Sequence, residues 1–102
     1  MLDDSIELTK ENLEQEIKDC QILIDFWAPW CGPCKQQEVI LNKFDNIKIG
    51  KINVDKEFEL ANKYSVSGIP TLILLDKGVE KLRFVGVQSE VNLKIAIGNA
   101  LK

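Results

Sequence analysis

The chain has 102 residues, which suits one domain, residues 1–102, with a core large enough to fold without cysteine staples. Hydrophobic residues make up 45% and charged residues 28%, the balance of an ordinary soluble globular chain. With 13 basic against 16 acidic residues, a net charge of −3 and no basic patch along the chain, nucleic acid and anionic membrane are disfavoured as main partners.

The start, MLDDSIELTKENLEQEI, is acidic and amphipathic. It lacks a basic stretch followed by an apolar run, so it does not read as a secretory signal. No apolar run approaches the roughly 18 residues needed to span a bilayer. A cytoplasmic location is expected, where structural disulfides are rare and a close thiol pair is more often catalytic or metal-binding.

Within that start, SIEL (Ser5–Leu8) reads as a short edge strand. Thr9 is a good N-cap for the helix that follows, with Leu13 and Ile17 on one face. ILIDFW (Ile22–Trp27) reads as a central strand covered on both faces, apolar except at Asp25. Pro33 opens the next helix in its first turn, where a missing N–H does no harm. Val39, Ile40, Leu41 and Phe44 are expected on its buried side. IKIGKINV (Ile47–Val54) is a strand, and Asp55 is placed to cap a helix over Glu57–Tyr64, with Leu60 and Tyr64 spaced by four. PTLILL (Pro70–Leu75), a turn at Asp76–Gly78 and KLRFVG (Lys81–Gly86) read as an antiparallel pair. Ser89 caps a last helix whose Leu93, Ile97 and Leu101 form one stripe. The order βαβαβαββα predicts an α/β fold: a mixed sheet, parallel early and antiparallel late, with helices on both faces. A functional site is expected where the second strand gives way to a helix.

That junction holds WCGPCK, with Cys31 and Cys34 separated only by Gly32 and Pro33. Residues three apart around a helix start can bring their Cβ atoms near the ~3.5–4.5 Å that a disulfide needs. Unpaired N–H groups and the helix dipole favour an anion at the N-terminus, hence a Cys31 thiolate, the attacking species in disulfide exchange. Cys34, deeper in the helix, is expected to be shielded. A tetrahedral zinc site needs four ligands, and the chain offers three cysteines, no histidine and no second CxxC. A disulfide across two residues closes almost no loop and adds little stability. Redox chemistry is the better reading. Asp25 adds to it, since a carboxylate in an apolar strand costs several kcal/mol unless paired or protonated. Lys51 is equally odd in its own strand.

WCGPCK after DFWA, KINVDK (Lys51–Lys56), GIPTLILL (Gly68–Leu75) and FVGVQS (Phe84–Ser89) together resemble the thioredoxin family, in the same order over nearly the whole chain. The resemblance implies the thioredoxin fold and a general protein disulfide reductase that needs no cofactor of its own. It implies that Cys31 attacks a substrate disulfide and that Cys34 resolves the mixed disulfide. It places Asp25 and Lys51 near each other beneath the cysteines. There Asp25, through a water, is expected to accept the Cys34 proton, burial raising its pKa and Lys51 limiting the rise. Pro70 resembles the family's cis-proline, with Ile69 offering its backbone to an extended substrate. Trp30, Gly32, Ile69, Pro70, Gly86 and Val87 would form a shallow apolar surface around Cys31, and Trp27 would pack in the core. The implied partners are disulfide-containing proteins and a thioredoxin reductase, flavin- or ferredoxin-linked. The working form is expected to be a monomer.

Two features depart from the family pattern. Many members carry a proline about six residues after the second cysteine; here Val39 stands in that vicinity and no proline occurs between Pro33 and Pro70, so a straighter helix is expected. The connection KFDNIKI is also short, and both changes touch a face that a reductase would meet. Cys20 is extra and is expected to be a small buried or half-buried residue, with regulatory oxidation or intermolecular pairing as the sharper alternative. The Gly-Pro pair disfavours an oxidant or isomerase and, with the flanking tryptophans, a glutathione-using role. A narrow-specificity redoxin and a non-catalytic binding subunit remain as alternatives.

Overall fold

A computed structural model of the chain describes residues 5–102. The first acidic residues of the N-terminal reading, Asp3 and Asp4, lie outside them. The elements follow the expected order: β1 (Ile6–Glu7), α1 (Leu13–Ile17), β2 (Gln21–Trp27), α2 (Gly32–Leu41), β3 (Lys48–Asn53), α3 (Phe58–Lys63), β4 (Thr71–Asp76), β5 (Val79–Val85) and α4 (Glu90–Ala100). The strands form one sheet in the order β1-β3-β2-β4-β5. β1, β3 and β2 run parallel, β4 is antiparallel to β2, and β5 is antiparallel to β4. β2 is therefore central and paired on both edges.

Alternation along β2 divides the core into two layers. Ile22, Ile24 and Phe26 point with Ile52, Ile73 and Leu75 toward Leu13 of α1 and Leu60 of α3. Leu23 points with Ile49, Leu72 and Leu74 toward Leu41 of α2 and Leu93 of α4. Asp25, two residues after Leu23, falls on the α2 side by the same period. Burying each of these large side chains contributes roughly 1.5–3 kcal/mol. The Leu8 side chain packs over Gly50 of β3 so closely that a β-carbon there would lie 2.5 Å from Leu8 Cδ1.

Local chemistry moves several boundaries. The first helix does not start at Thr9: the Asn12 side-chain oxygen accepts the Thr9 N–H at 2.8 Å and turns the chain, so the helix begins at Leu13. Asp55 does not cap α3, because Glu57 holds the N-cap position and the Asp55 N–H is donated to Asn53 Oδ1 at 3.0 Å. Asp76 completes β4, which leaves Lys77 and Gly78, both at positive φ, as a two-residue hairpin turn. Ser89 does cap α4, its Oγ accepting the Asn92 N–H at 3.1 Å.

α2 is unbroken over Gly32–Leu41, as expected of a helix without an internal proline. Its buried side differs from expectation. Cys34, Gln37 and Leu41, spaced by three and four, face the sheet, while Val39 is 61% exposed. Ile40 is half-buried, and Phe44 packs from the loop after the helix. Among the described residues no helix is long and apolar enough to cross a membrane.

Candidate active site

β2 delivers the chain to Trp27, and a turn closed by the Cys31 N–H donating to the Ala28 carbonyl (3.1 Å) leads into α2. Cys31 is the N-cap residue, and its Sγ accepts the Cys34 N–H at 3.2 Å. One of the unpaired donors at the helix start is thus aimed at a sulfur, an arrangement that favours negative charge there. Cys31 and Cys34 form a disulfide with Cα atoms 5.3 Å apart. Both are buried, at 4% and 3% exposure, so shielding is not confined to Cys34 as expected. What separates the two sulfurs is the cap position.

Beneath the pair, on the α2 side of the sheet, lies a cavity of about 260 Å³ lined by Asp25, Trp27, Ala28, Cys34, Lys35, Glu38 and Lys51. Asp25 and Lys51 are register partners on the adjacent parallel strands β2 and β3, so their side chains leave the sheet on one face. Asp25 is 1% exposed, and neither of its carboxylate oxygens has a hydrogen-bond partner. Burial raises its pKa to about 7, Lys51 opposing the rise and Glu38 adding to it. Glu38 forms an ion pair with Lys51, whose Nζ also lies 5.1 Å from the centre of the Trp27 ring. Trp27 is half-buried, and its ring N–H likewise lacks a partner. Sequence reasoning missed Glu38. The available signal was its place four residues after Cys34, on the same helical face.

Above the pair the groups are tied together through the backbone. The Ile69–Pro70 bond is cis, an isomer that sequence alone leaves open. The Pro70 carbonyl accepts the Gly86 N–H at 2.8 Å, and Gly86 has φ 95°, a conformation open to glycine. Ile69 packs with Trp27 and Val54 on the cysteine pair and Ala28. Trp30 and Val87 are exposed instead, at 70% and 38%, as are Gly32 and Pro33 in the loop. The Trp30 ring N–H donates to Asp55 Oδ2 at 3.0 Å, which gives Asp55 its use in place of a cap. Gln37, fully buried and also missed, donates to the Gln88 carbonyl (3.1 Å) and accepts the Gln88 N–H (2.7 Å), joining α2 to the loop that carries Gly86 and Val87.

Cys20 stands apart from this site, half-buried, its thiol donating to the Glu16 carbonyl at 3.0 Å. Among the described residues no three Cys, Asp or Glu side chains gather in a group that could hold a metal ion.

Comparison with known proteins agrees with this geometry. The family model described as Thioredoxin matches residues 4–99. A putative thioredoxin 2 from Streptomyces coelicolor is 39% identical over 103 residues, covering 96% of this chain and 77% of that protein. A thioredoxin from Alicyclobacillus acidocaldarius is 35% identical over 101 residues, covering 93% and 96%. Among solved structures, a mutant thioredoxin from Halobacterium salinarum superposes with a TM-score of 0.86 at 32% identity, covering 97% of this chain and 92% of that one. With the fold, the cysteine pair and these relatives in agreement, the chain belongs to the thioredoxin family of thiol–disulfide oxidoreductases.

Proposed function

We propose that this single-domain chain, residues 1–102, is a general protein disulfide reductase that works as a cytoplasmic monomer. The observation that carries this reading is the cysteine pair at the start of α2, with Cys31 Sγ accepting a helix N–H and a buried, unpartnered carboxylate beneath Cys34. In the reduced protein, the Cys31 thiolate attacks one sulfur of a substrate disulfide. A mixed disulfide forms, and the substrate's other sulfur leaves as a thiolate. Cys34 then gives its proton to Asp25 through a water in the cavity, and its thiolate attacks Cys31 Sγ. The second substrate thiol is released, and the Cys31–Cys34 disulfide remains. Two electrons have passed from the protein to the substrate.

Asp25 suits this step because a carboxylate with a pKa of about 7 can both take and return a proton near neutrality. Lys51 tunes it. The substrate chain lies over Trp30, Gly32, Ile69, Pro70, Gly86 and Val87, with the Ile69 backbone offered in a strand-like pairing. Pro33 starts the helix that presents the sulfurs. A thioredoxin reductase, flavin- or ferredoxin-linked, returns the electrons, and the unbroken α2 forms part of the face it meets.

The test is reduction of insulin disulfides with dithiothreitol as electron source, comparing the parent with Cys31→Ser. Turnover by the parent and its loss in the variant is the expected result. No turnover by folded, reduced parent protein overturns the general reductase in favour of a narrow-specificity redoxin or a binding scaffold. A binding scaffold would keep its activity when both Cys31 and Cys34 are replaced by serine.

A further inference from the structure

We propose that Glu38 is a positioning residue for the proton transfer at Cys34: by pairing with Lys51 at the rim of the cavity, it holds the ammonium off the Asp25 carboxylate. The inference rests on the reading of Asp25 as the proton acceptor and adds the group that keeps it able to act.

Asp25 and Lys51 are register partners on neighbouring strands, and their side chains rise from the same face. A lysine and an aspartate so placed have every electrostatic reason to pair. A carboxylate held that way stays ionised through the working range and is a poor proton acceptor. Instead, both Asp25 oxygens are without a hydrogen-bond partner, and the Lys51 ammonium is ion-paired to Glu38. The helix makes this possible. Glu38 follows Cys34 by one turn, so α2 sets a thiol and a carboxylate side by side over the β2–β3 pair. Glu38 is 42% exposed and Lys51 14%, which draws the ammonium outward. The Trp27 ring, 5.1 Å from Nζ, flanks the lysine on its way. Among the described residues, the charged groups that line the cavity with Asp25 are Lys35 and Glu38 from α2 and Lys51 from β3; its partner on β4, Leu72, brings no charge. Glu38 is thus the one anion among those lining groups besides Asp25 itself. Its removal deletes a negative charge beside Asp25 and breaks the ion pair at the cavity rim that opposes an inward turn of the ammonium, and the two effects act in the same direction.

The experiment follows the side-chain carbon of Asp25 by NMR across a pH titration of the full-length oxidised protein, as parent, Glu38→Gln and Glu38→Asp. In parallel, the reduced proteins react with a chromogenic aromatic disulfide, whose two thiol releases separate first attack from resolution. In Glu38→Gln the Asp25 midpoint is expected to fall by about one unit or more. The acid limb of the resolution rate should move with it, while the first release is little changed. Glu38→Asp keeps the charge and should stay closer to the parent. An unmoved Asp25 midpoint in folded Glu38→Gln overturns the role of Glu38, even if Asp25→Asn abolishes the acid limb. An acid limb that persists in Asp25→Asn overturns the proton acceptor on which the inference rests.

Discussion

The two sides of the disulfide are built on opposite terms. On the outer side the framework is satisfied: the Trp30 ring N–H meets Asp55, the Gly86 N–H meets the Pro70 carbonyl, and Gln37 completes both backbone groups of Gln88. On the inner side it is not. Among the described residues, the buried side-chain polar atoms without a partner are the two Asp25 oxygens and the Trp27 ring nitrogen, and both residues line the one cavity under Cys34. The two tryptophans, three residues apart, carry the contrast in miniature. Rigid presentation of the sulfurs needs satisfied bonds. Proton exchange needs a group whose proton is not committed elsewhere, and leaving it so costs stability.

The largest test of that contrast is the pH dependence of stability. Below the ordinary carboxylate value of 3.8, folded and unfolded chains both hold the Asp25 proton. Between there and about 7 the unfolded chain releases it and the folded one keeps it, so stability falls as pH rises through that window and levels off above it. Three units or so amount to about 4 kcal/mol. Urea denaturation of the oxidised protein at a series of pH values should show this decline, and Asp25→Asn should flatten it. An equal slope in the variant would mean that the inner side is no less satisfied than the outer.

Gln37→Leu attacks the outer side. It strands the N–H and C=O of Gln88, and a loss of about 1–3 kcal/mol is expected from its thermal unfolding. Loosening of the Gly86 loop should also raise KM for a protein substrate and spare kcat. A fall in kcat at constant KM would move Gln37 to the chemical side of the divide. Trp30→Phe is the mildest change, losing the bond to Asp55 and part of an aromatic side chain that is already 70% exposed. A loss of about 0.5–1.5 kcal/mol should be matched by Asp55→Ala, with no further loss in the double variant.

Periodic apolar segments make the element order, the central place of β2 and the helix start at Pro33 legible in the sequence. Asp25 stands out as the one charged residue in ILIDFW, and Lys51 as an odd residue in its own strand. Glu38 does not, because a glutamate in a helix ordinarily reads as a solvated face, and its partner lies 13 residues on, in β3. Gln37 is hidden for the same reason: its partner is 51 residues away, and only the folded chain shows that a buried amide is satisfied. Asp55 looks like a cap by its neighbourhood, but a tryptophan 25 residues upstream claims it. Val39 shows the limit of reading apolar as buried, since a ten-residue helix turns some of its apolar residues to solvent whatever their type.

The central place of β2 also has a meaning for the chain before it folds. QILIDFW leaves the ribosome ahead of both strands that will cover its edges, β3 and β4. While it waits it is a short run of high β-propensity without a proline, the kind of window that self-associates into aggregates. Its single charge is Asp25, ionised at neutral pH in the unfolded chain because its pKa there is the ordinary 3.8. The residue that weakens the finished protein therefore serves the nascent one as a gatekeeper, and an apolar replacement chosen for stability would remove that protection during synthesis.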